Sequence, residues 1–328
     1  MRLDRKSELK LGIVGTGYVA QKRAAAIQKD PRAKLVAFTG NKPEKIQAFA
    51  KQYSADPFDS WSQLVANKDL DLVIVSSINC DRAAIVRAAL EADKHVVAEY
   101  PLALNAREGR ELIELARSKN KLLHIEHIEL LGGLHRAIGR YLPEIGNVFS
   151  ARYTTIAPKH PAPLNWTYHY QMYGFPLSAA LSRIHRFTDL FGSVASIAAQ
   201  SRFWEASSSG YYRACLCEAQ LLFTSGLIAN ITYGKGDVFW QSCRDFEIRG
   251  DRGTLIFQAD RGILIQSGAN TEISLESRRG LLARDTIMVL DYLFDGLPLY
   301  VQPESSLYAL EVAEAAELAT KLGKTVNL

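Results

Sequence analysis

Leu11-Gly-Ile-Val14 runs directly into Gly15-Thr-Gly17-Tyr-Val-Ala20, and this stretch decides the fold of the first part of the chain. The apolar run predicts a buried strand, and the glycines predict a tight turn into a helix. Such a turn brings backbone N–H groups and a helix N-terminus close to a pyrophosphate, which a Cβ at Gly15 or Gly17 would obstruct. The alternative is an incidental strand-to-helix turn, but the order of the elements that follow favours a dinucleotide site.

Strand and helix signals alternate through the first third of the chain. Short runs rich in Val, Ile and Leu predict strands, and longer segments with helical periodicity lie between them. This alternation is typical of a doubly wound parallel sheet, the Rossmann fold. The predicted strands are Leu35 to Thr39, Leu72 to Ser77, His95 to Glu99 and Lys121 to Glu126, and the predicted helices are Pro43 to Tyr53, Asp81 to Ala92 and Ala106 to Lys119.

The pattern changes after Glu129, where short alternating segments separated by Gly, Asp and Asn predict an antiparallel sheet. We therefore predict an α/β protein with two domains. Residues 1–128 form the Rossmann domain, and residues 129–328 form a substrate-binding α+β domain with a large, mainly antiparallel sheet. The last helix, Ser306 to Lys321, belongs to the second domain or packs back on the first. The predicted strands here are Val148 to Ile156, Ala214 to Phe223, Leu227 to Tyr233, Phe246 to Gly250, Thr254 to Gln258 and Gly262 to Gln266.

The composition is that of an ordinary globular protein. The 328 residues are 48% hydrophobic and 23% charged, and no apolar run approaches the length that spans a membrane. Met1 to Lys10 is polar, with no signal-like apolar region after it, and the four scattered cysteines suit a reducing compartment. The net charge of +4 is spread along the chain. We expect a cytoplasmic protein that binds neither nucleic acid nor membranes.

The end of the second predicted strand, Phe38-Thr-Gly-Asn-Lys42, bears on the choice of dinucleotide. NAD sites usually place a carboxylate here, which accepts from the ribose 2′-hydroxyl. Asn41 and Lys42 offer donors instead, which suit the 2′-phosphate of NADPH, with NADH as the weaker cofactor. The alternative is that Lys42 is a solvated lysine at a helix start. The predicted contacts at the turn and at this strand end are Gly15, Thr16, Gly17, Tyr18, Val19, Asn41 and Lys42.

Three motifs resemble the oxidoreductase superfamily of glucose–fructose oxidoreductases and inositol dehydrogenases. They are Gly15-x-Gly17-x-x-Ala20, Ser76-Ser-Ile-Asn79 and Glu99-Tyr-Pro101. Most members have Glu-Lys-Pro in the last motif, with the lysine beside the nicotinamide, and here Tyr100 replaces it. Most also carry a histidine on a second-domain helix where this chain has Arg186. The resemblance adds Ser77, Asn79 and Glu99 to the predicted cofactor site, and the two replacements argue against alcohol oxidation by lysine and histidine.

The chain is similar, more specifically, to the biliverdin reductase family in its cyanobacterial form. This resemblance implies NADPH-dependent reduction of biliverdin IXα to bilirubin, with a hydride going to the central methine carbon and a proton to a pyrrole nitrogen. It rests on Glu99-Tyr-Pro101, Leu122-Leu-His-Ile-Glu126-His-Ile-Glu129, Asn165-Trp-Thr-Tyr-His169, Phe175-Pro-Leu177, Ser182-Arg-Ile184, Arg186-Phe-Thr-Asp-Leu-Phe-Gly192, Tyr233-Gly-Lys-Gly236, Gly250-Asp-Arg-Gly-Thr-Leu-Ile-Phe257 and Ser306-Leu-Tyr-Ala-Leu-Glu-Val-Ala313.

Such a reaction needs a wide site for a flat conjugated ligand and cationic donors for its two propionates. The segment Pro176 to Phe191, taken as one helix, places Ala179, Arg183 and Arg186 in one stripe. The pattern alone fits a ligand wall and a solvated helix edge equally well. The resemblance favours Arg183 as a catalytic residue that orients the ligand or stabilises charge, since a pKa above about 12 makes it a poor acid. Arg186 is a candidate for substrate binding.

Tyr100 and Glu126 are the other catalytic candidates. Tyr100 follows a strand end where ligands approach a parallel sheet, or else it packs as a loop tyrosine. Glu126 binds a pyrrole N–H or tunes a proton relay, or else it only orders the crossover between domains. No metal site is predicted, because strand alternation separates His124 from His127.

His169 and Lys235 are candidate substrate-binding residues. His169 lies in an aromatic run that either covers the tetrapyrrole or packs on its own domain. Lys235 either reaches a propionate or is an exposed turn lysine. Two other functions stay open, a sugar or polyol dehydrogenase of the same superfamily and a non-catalytic NADP-sensing protein. We expect a monomer or a weak homo-oligomer.

Overall fold

The computed structural model describes residues 8–328, so residues 1–7, most of the polar segment Met1 to Lys10, lie outside the described residues. The chain folds into two compact units. Unit 1 holds the described residues up to Ile128 together with Arg279–Leu307, and unit 2 holds Glu129–Arg278 and Tyr308–Leu328. No helix within residues 8–328 combines the length and apolar character needed to cross a membrane.

Unit 1 is built on a parallel sheet of six strands. They are β1 (Leu9–Val14), β2 (Ala33–Thr39), β3 (Asp56–Phe58), β4 (Leu72–Val75), β5 (His95–Ala98) and β6 (Leu123–Ile125). Their order is β3-β2-β1-β4-β5-β6, and every neighbouring pair is parallel. The chain changes direction across the sheet between β1 and β4, which is where ligands bind in open parallel sheets. The predicted Rossmann fold is confirmed.

Helices of unit 1 come from two parts of the sequence. The first five are α1 (Tyr18–Ile27), α2 (Pro43–Tyr53), α3 (Trp61–Ala66), α4 (Asn79–Glu91) and α5 (Ala106–Ser118). A later helix, α11 (Leu281–Asp295), joins them because its Val289, Leu290 and Leu293 share an apolar core with Leu9 and Ile27. Residues 279–307 therefore group with unit 1, which differs from the contiguous second domain predicted over residues 129–328.

Unit 2 is built on a sheet of nine strands. They are β7 (Val148–Pro158), β8 (Val194–Glu205), β9 (Tyr212–Phe223), β10 (Ile228–Gly236), β11 (Cys243–Gly250), β12 (Gly253–Gln258), β13 (Arg261–Gln266), β14 (Ala269–Ser274) and β15 (Val326–Asn327). The order is β14-β13-β12-β11-β7-β10-β9-β8-β15, antiparallel except where β7 and β10 run parallel. The predicted, mainly antiparallel sheet is confirmed.

The segment predicted as one helix from Pro176 to Phe191 forms two helices instead. Ala180 leaves the helical conformation, with φ −98° and ψ 36°, so Ala179 does not share a helix with Arg183. The two helices are α9 (Pro176–Ala179) and α10 (Ser182–Phe191). The other helices of this part are α6 (Ile128–Leu131), α7 (Gly133–Tyr141), α8 (Tyr170–Tyr173) and α12 (Pro303–Leu322), with 3-10 turns at Leu142–Ile145 and Trp166–Tyr168.

Candidate active site

The turn after β1 has the geometry that its glycines predict. Gly15 has a φ of +122°, which L side chains rarely adopt, and a Cβ there would come within 2.7 Å of the Ser76 carbonyl oxygen. Gly17 precedes α1, and a Cβ at this position would meet no described protein atom within 4 Å. Packing of the protein therefore requires glycine at position 15 but not at position 17. The phosphate contact predicted for Gly17 at the helix N-terminus stays a prediction.

The end of β2 presents hydrogen-bond donors. Asn41 and Lys42 are exposed immediately before α2, and no acidic residue lies between Thr39 and Pro43. Thr16 is buried behind this edge, where a Cβ at Gly40 would come within 2.7 Å of its side chain. Tyr18 and Val19 begin α1, and the Tyr18 side chain is exposed. The edge suits a phosphate better than a ribose 2′-hydroxyl.

Ser77 follows β4 and Asn79 begins α4, and the buried Arg82 contacts both. Arg82 Nη2 donates to the Ser77 carbonyl oxygen at 2.6 Å, and Nη1 donates to Asn79 Oδ1 at 3.2 Å. Nη1 also donates to the Pro101 carbonyl oxygen at 2.7 Å, so this side chain ties together the loops after β4 and β5. Sequence analysis missed Arg82, because nothing in the local pattern separates it from a solvated helix arginine. The cofactor contacts of Ser77 and Asn79 stay predictions.

A buried charge cluster lies behind these strand ends in unit 1. Arg23 of α1 donates through Nε to Glu99 Oε1 at 2.8 Å and through Nη1 to Asp285 Oδ2 at 2.7 Å. Asp285 also accepts from the Tyr300 hydroxyl at 2.7 Å and lies 2.7 Å from His124 Nε2. Although burial alone would raise the pKa of Asp285, Arg23 and His124 lower it overall. We call Arg23, Glu99, Glu126 and Asp285 the acidic cluster.

Glu126 is the acid of this cluster whose pKa is raised. Its side chain is buried, and Oε2 accepts from the Ile128 N–H at 2.8 Å. Burial first, and then the carboxylates of Glu99 and Asp285, raise the pKa of Glu126 well above its ordinary value, against the opposing effect of Arg23. The carboxyl end of β6 therefore carries a neutral carboxyl group at pH values where exposed glutamates are ionised.

Tyr100 follows β5, and its ring is stacked on the His127 ring with the centroids 5.0 Å apart. The side chain is half-buried against the core of unit 1. This contact holds the phenol at the carboxyl end of the sheet, where the predicted cofactor residues also lie. The neighbouring Glu99 directs its carboxylate to Arg23, and its predicted cofactor contact stays a prediction.

Unit 2 contains a cavity of about 650 Å³ between α10 and the sheet. Its floor is a row of residues paired across three adjacent strands: Tyr233 of β10, Thr155 of β7 and Arg244 of β11. Arg183 lies over this row. Its Nε donates to the Thr155 hydroxyl at 3.2 Å, and its guanidinium carbon is 5.1 Å from the Tyr233 ring centroid. The other lining residues are Glu129, Tyr153, Ile156, Ala157, Ser182, Gln241, Ser242, Cys243, Asp245, Gln258, Ala259 and Arg278.

Arg186 lies one helical turn beyond Arg183 but does not line this cavity. It faces Tyr153 in the next inward-pointing row of the sheet, with its guanidinium carbon 5.7 Å from the ring centroid. Its side chain is only 1% exposed, and Nη2 donates to Glu129 Oε2 at 3.1 Å. Burial lowers the pKa of Arg186. The structure makes Arg186 a buried partner of Glu129, and its predicted contact with substrate stays a prediction.

Glu129 is the centre of a second charge cluster. Its Oε2 also accepts from Arg244 Nη2 at 3.0 Å, and its Oε1 accepts from Arg278. Burial alone would raise the pKa of Glu129, but the surrounding guanidinium groups lower it overall. Sequence analysis missed Glu129, Arg244 and Arg278 as site residues, because they come from three distant segments. We call Glu129, Arg183, Arg186, Arg244 and Arg278 the arginine cluster.

His169 and Lys235 are not among the residues that line the cavity, although Lys235 pairs across the strands with Ala157, which does line it. His169 caps α8, where its Nδ1 accepts from the backbone N–H of Gln171 and Met172 at 3.2 and 3.3 Å. Lys235 is a buried residue of β10, so the exposed turn lysine considered as its alternative is wrong. Its Nζ donates to the Thr167 carbonyl oxygen, and burial lowers its pKa to about 8. The substrate contacts of both residues stay predictions.

Comparison with known proteins places this arrangement in a family. A model of an oxidoreductase family with an NAD-binding Rossmann fold matches residues 9–127, and the C-terminal alpha/beta domain of the same family matches residues 143–328. Among curated proteins, the chain is 30% identical over 160 residues to dTDP-3,4-didehydro-2,6-dideoxy-alpha-D-glucose 3-reductase of Saccharopolyspora spinosa. It is 25% identical over 203 residues to biliverdin reductase A of Mus musculus. These matches cover 48% and 61% of this chain, and the chain spans only 48% and 63% of the relatives' lengths.

A solved structure matches over nearly the whole chain. Biliverdin reductase from Synechocystis sp. PCC 6803, in complex with biliverdin and NADP+, is 54% identical and superposes with a TM-score of 0.94. The match covers 95% of this chain and 99% of the Synechocystis chain. Together with the two family models, this identity shows that the chain belongs to the Gfo/Idh/MocA oxidoreductase family, in the branch of the biliverdin reductases.

Proposed function

We propose that this chain reduces biliverdin IXα to bilirubin with NADPH as the reductant. The 54% identity to the Synechocystis enzyme, over 95% of this chain, supports the proposal. The observation that carries it is Arg183, held over Tyr233 and Thr155 in an arginine-lined cavity. A polyol dehydrogenase has no need of such a cavity, and in this chain Tyr100 and Arg186 replace the lysine and histidine that alcohol oxidation uses.

The reaction delivers a hydride to the central methine carbon of the pigment and a proton to a pyrrole nitrogen. NADPH, when bound, supplies the hydride. The turn at Gly15 and Gly17 and the N-terminus of α1 would hold its pyrophosphate. Asn41 and Lys42 would hold the 2′-phosphate, because both are exposed donors at the end of β2.

In this proposal Arg183 orients the pigment and stabilises the charge that develops on it. The Thr155 and Ser182 hydroxyls accept from its Nε at 3.2 Å and its Nη1 at 3.1 Å, so the guanidinium group is positioned before the ligand binds. As electron density moves into the conjugated pigment, a fixed cation beside it stabilises the transition state without reorganising. Arginine is not expected to supply the proton, because its pKa above about 12 makes it a poor acid in water.

The walls of the cavity suit a flat pigment. Tyr153 and Tyr233 give broad amphipathic surfaces, and Ile156 adds an apolar one. The volume of about 650 Å³ is typical of small-molecule sites.

Glu126 and Tyr100 are proposed to act from unit 1. The pKa of Glu126 is raised by burial and by the carboxylates of Glu99 and Asp285, which favours its protonated form. A neutral carboxyl group is suited to pass a proton toward a pyrrole nitrogen. Tyr100, held by stacking on His127, is proposed to lie beside the nicotinamide.

We also propose that the protein works in the cytoplasm as a monomer or a weak homo-oligomer. All four cysteines are free thiols, which supports a reducing compartment. The outer face of the unit 2 sheet is lined by Gln200, Glu218, Gln220 and Asn230 around a shallow groove, and a polar face of this kind favours weak association over permanent association.

The proposal is tested by an absorbance assay with biliverdin and either NADPH or NADH. We expect the green pigment to turn yellow, faster with NADPH. Arg183→Ala is expected to lower kcat by about 100-fold, while NADPH binding followed by nicotinamide fluorescence stays unchanged. Arg202→Ala is the matched control, because Arg202 also lies over an aromatic ring, 4.8 Å from the Trp204 centroid, but does not line the cavity. It should keep the unaltered rate.

Two results would overturn parts of this proposal. If the unaltered chain leaves biliverdin green but oxidises inositol or a hexose, the proposed reaction is wrong. If Arg183→Ala reduces biliverdin at the unaltered rate, the reaction stands and the role of Arg183 is withdrawn.

A further inference from the structure

The cavity of unit 2 holds more positive than negative charge. Among the described residues, three guanidinium groups line it, those of Arg183, Arg244 and Arg278, with two carboxylates, those of Glu129 and Asp245, and Arg186 pairs with Glu129 from outside the lining. Arginine does not deprotonate in proteins, so the excess positive charge has to be met by solvent, by counter-ions or by a ligand. When Glu129 is paired with Arg186, the three lining guanidinium groups face one other lining carboxylate, that of Asp245, and this surplus is complementary to a dicarboxylate.

The four arginines differ in how far they can move. The side chain of Arg186 is 1% exposed and packed over Tyr153, and Arg183 is held by two hydroxyl groups. Arg244 and Arg278 are 29% and 53% exposed and pair with Glu129 from the solvent side. These two are therefore the guanidinium groups that can turn to an incoming anion with the least disturbance of the core.

We propose that Arg244 and Arg278 bind the two propionate carboxylates of the pigment, and that Glu129 is the counter-ion they leave when the pigment binds. This inference rests on the proposed function for the identity of the dicarboxylate. Arg244 and Arg278 are then substrate-binding residues, and Glu129 is a positioning residue that holds them in place beforehand.

Glu129 can release both arginines because Arg186 remains beside it. The Arg186–Glu129 pair is buried, with its atoms 3.1 Å apart, and this contact does not involve the outer arginines. No buried carboxylate is left without a cation, which is the arrangement that would cost the most free energy. The exchange replaces two contacts to Glu129 with two contacts to propionates, which are also carboxylates. The number and strength of the charge-assisted hydrogen bonds therefore stay nearly the same.

The same contacts would fix the reacting carbon. In biliverdin IXα the central methine lies between the two pyrrole rings that carry the propionates. Anchoring both carboxylates therefore limits the position of this methine relative to the cavity floor, where Arg244 is in register with Thr155 and Thr155 accepts from Arg183. Restricting the acceptor carbon to few orientations is one of the larger ways in which an enzyme lowers the activation barrier of a two-substrate reaction.

The test compares biliverdin with its dimethyl ester, in which both carboxylates are neutral. Pigment binding is measured by absorbance titration in the presence of NADP+, and turnover is measured with NADPH. We expect Arg244→Gln and Arg278→Gln each to weaken binding of the diacid about tenfold, and the double variant about 100-fold. Binding of the diester should change by less than about twofold in all three variants, and Arg278→Lys should recover most of the diacid affinity.

Arg249→Gln is the matched control. Arg249 lies on the same strand as Arg244 and also pairs with a carboxylate, that of Glu247, but neither residue lines the cavity. It should leave the binding of both pigments unchanged.

The outcomes separate this inference from the proposed reaction. If the arginine variants weaken diacid and diester equally, or if the unaltered chain binds both pigments alike, the carboxylate assignment is wrong even though biliverdin is reduced. If the unaltered chain prefers the diacid through these arginines but reduces neither pigment, the binding site stands and the proposed reaction fails.

Discussion

The two charge clusters of the molecule are built with opposite imbalances. In unit 1 three carboxylates, those of Glu99, Glu126 and Asp285, are close to two arginines, Arg23 and Arg82. In unit 2 a single carboxylate, that of Glu129, is close to four arginines. Both clusters are buried enough that unpaired charge is costly.

The two imbalances are relieved in different ways, because carboxylates and guanidinium groups differ in what they can do with a proton. A surplus carboxylate can become neutral by taking up a proton, and the raised pKa of Glu126 favours this. A surplus guanidinium group cannot lose its charge in this way. The acidic cluster therefore favours uptake of a proton, whereas the arginine cluster attracts an anion. The proposed reaction uses both a proton and an anionic pigment in addition to the hydride.

Removing Arg23 is expected to have the largest effect on stability. Arg23→Met removes the buried guanidinium group that pairs with both Asp285, which is 0% exposed, and Glu99. We expect the free energy of unfolding, measured by denaturant titration, to fall by about 4 kcal/mol. The control is Arg87→Met, because Arg87 and Glu111 form a pair in the same unit with side chains 37% and 49% exposed. Its loss should stay below about 1 kcal/mol, and similar losses in both variants would contradict the comparison.

Neutralising Glu129 is expected to have a smaller effect. Glu129→Gln keeps an acceptor for hydrogen bonds but leaves the buried Arg186 without a counter-charge, so we expect a loss of about 2 kcal/mol in the free energy of unfolding. Glu247→Gln is a close control, because the two carboxylates are equally exposed, 14% and 15%. The partners of Glu247, Arg152 and Arg249, are 62% and 49% exposed, so water can solvate them after the change. Equal losses at both positions would mean that burial of the arginine does not matter.

The sequence predicts the Rossmann part well because its signals are local. The apolar run into Gly15, the alternation of strands and helices, and the absence of an acid after Phe38 all lie within short segments. The helix α11 was not predicted as part of this unit. Its apolar residues share a core with residues of β1 and α1, which lie at the other end of the chain.

The candidate site in unit 2 was predicted only in part, and register explains the difference. Arg183 was found through a motif, but Arg244 joins the cavity because β11 pairs with β7 so that Arg244 lies opposite Thr155. Alternation along one strand does not give the pairing between strands that are far apart in sequence. The burial of Arg186 was not predicted either, because its surroundings depend on which row of the sheet lies below each turn of α10.

The raised pKa of Glu126 leads to the prediction with the smallest and most specific expected effect on stability. An unfolded glutamate titrates near its ordinary pKa of 4.5, and the pKa of Glu126 in the folded chain lies well above this value. The stabilising contribution of its protonated form is therefore fully present below about pH 4.5 and is lost as the pH rises through the folded pKa. Glutamine cannot ionise, so its contribution to the free energy of unfolding does not change with pH. The stability of Glu126→Gln relative to the unaltered chain should rise by about 1.4 kcal/mol for each pH unit within this window.

Denaturant titrations of both chains from about pH 4.5 to about pH 8 measure this difference directly. Glu111→Gln is the control, because Glu111 is 49% exposed on the surface of the same unit. It should change stability by less than about 1 kcal/mol at every pH. The charged and polar groups that interact with Glu126 include Glu99, Asp285, Arg23, Arg82 and the Tyr300 hydroxyl, and all of them remain in the variant. If the stability difference between Glu126→Gln and the unaltered chain does not change with pH, the raised pKa belongs to another member of the acidic cluster. The contrast between the two clusters would then fail for Glu126.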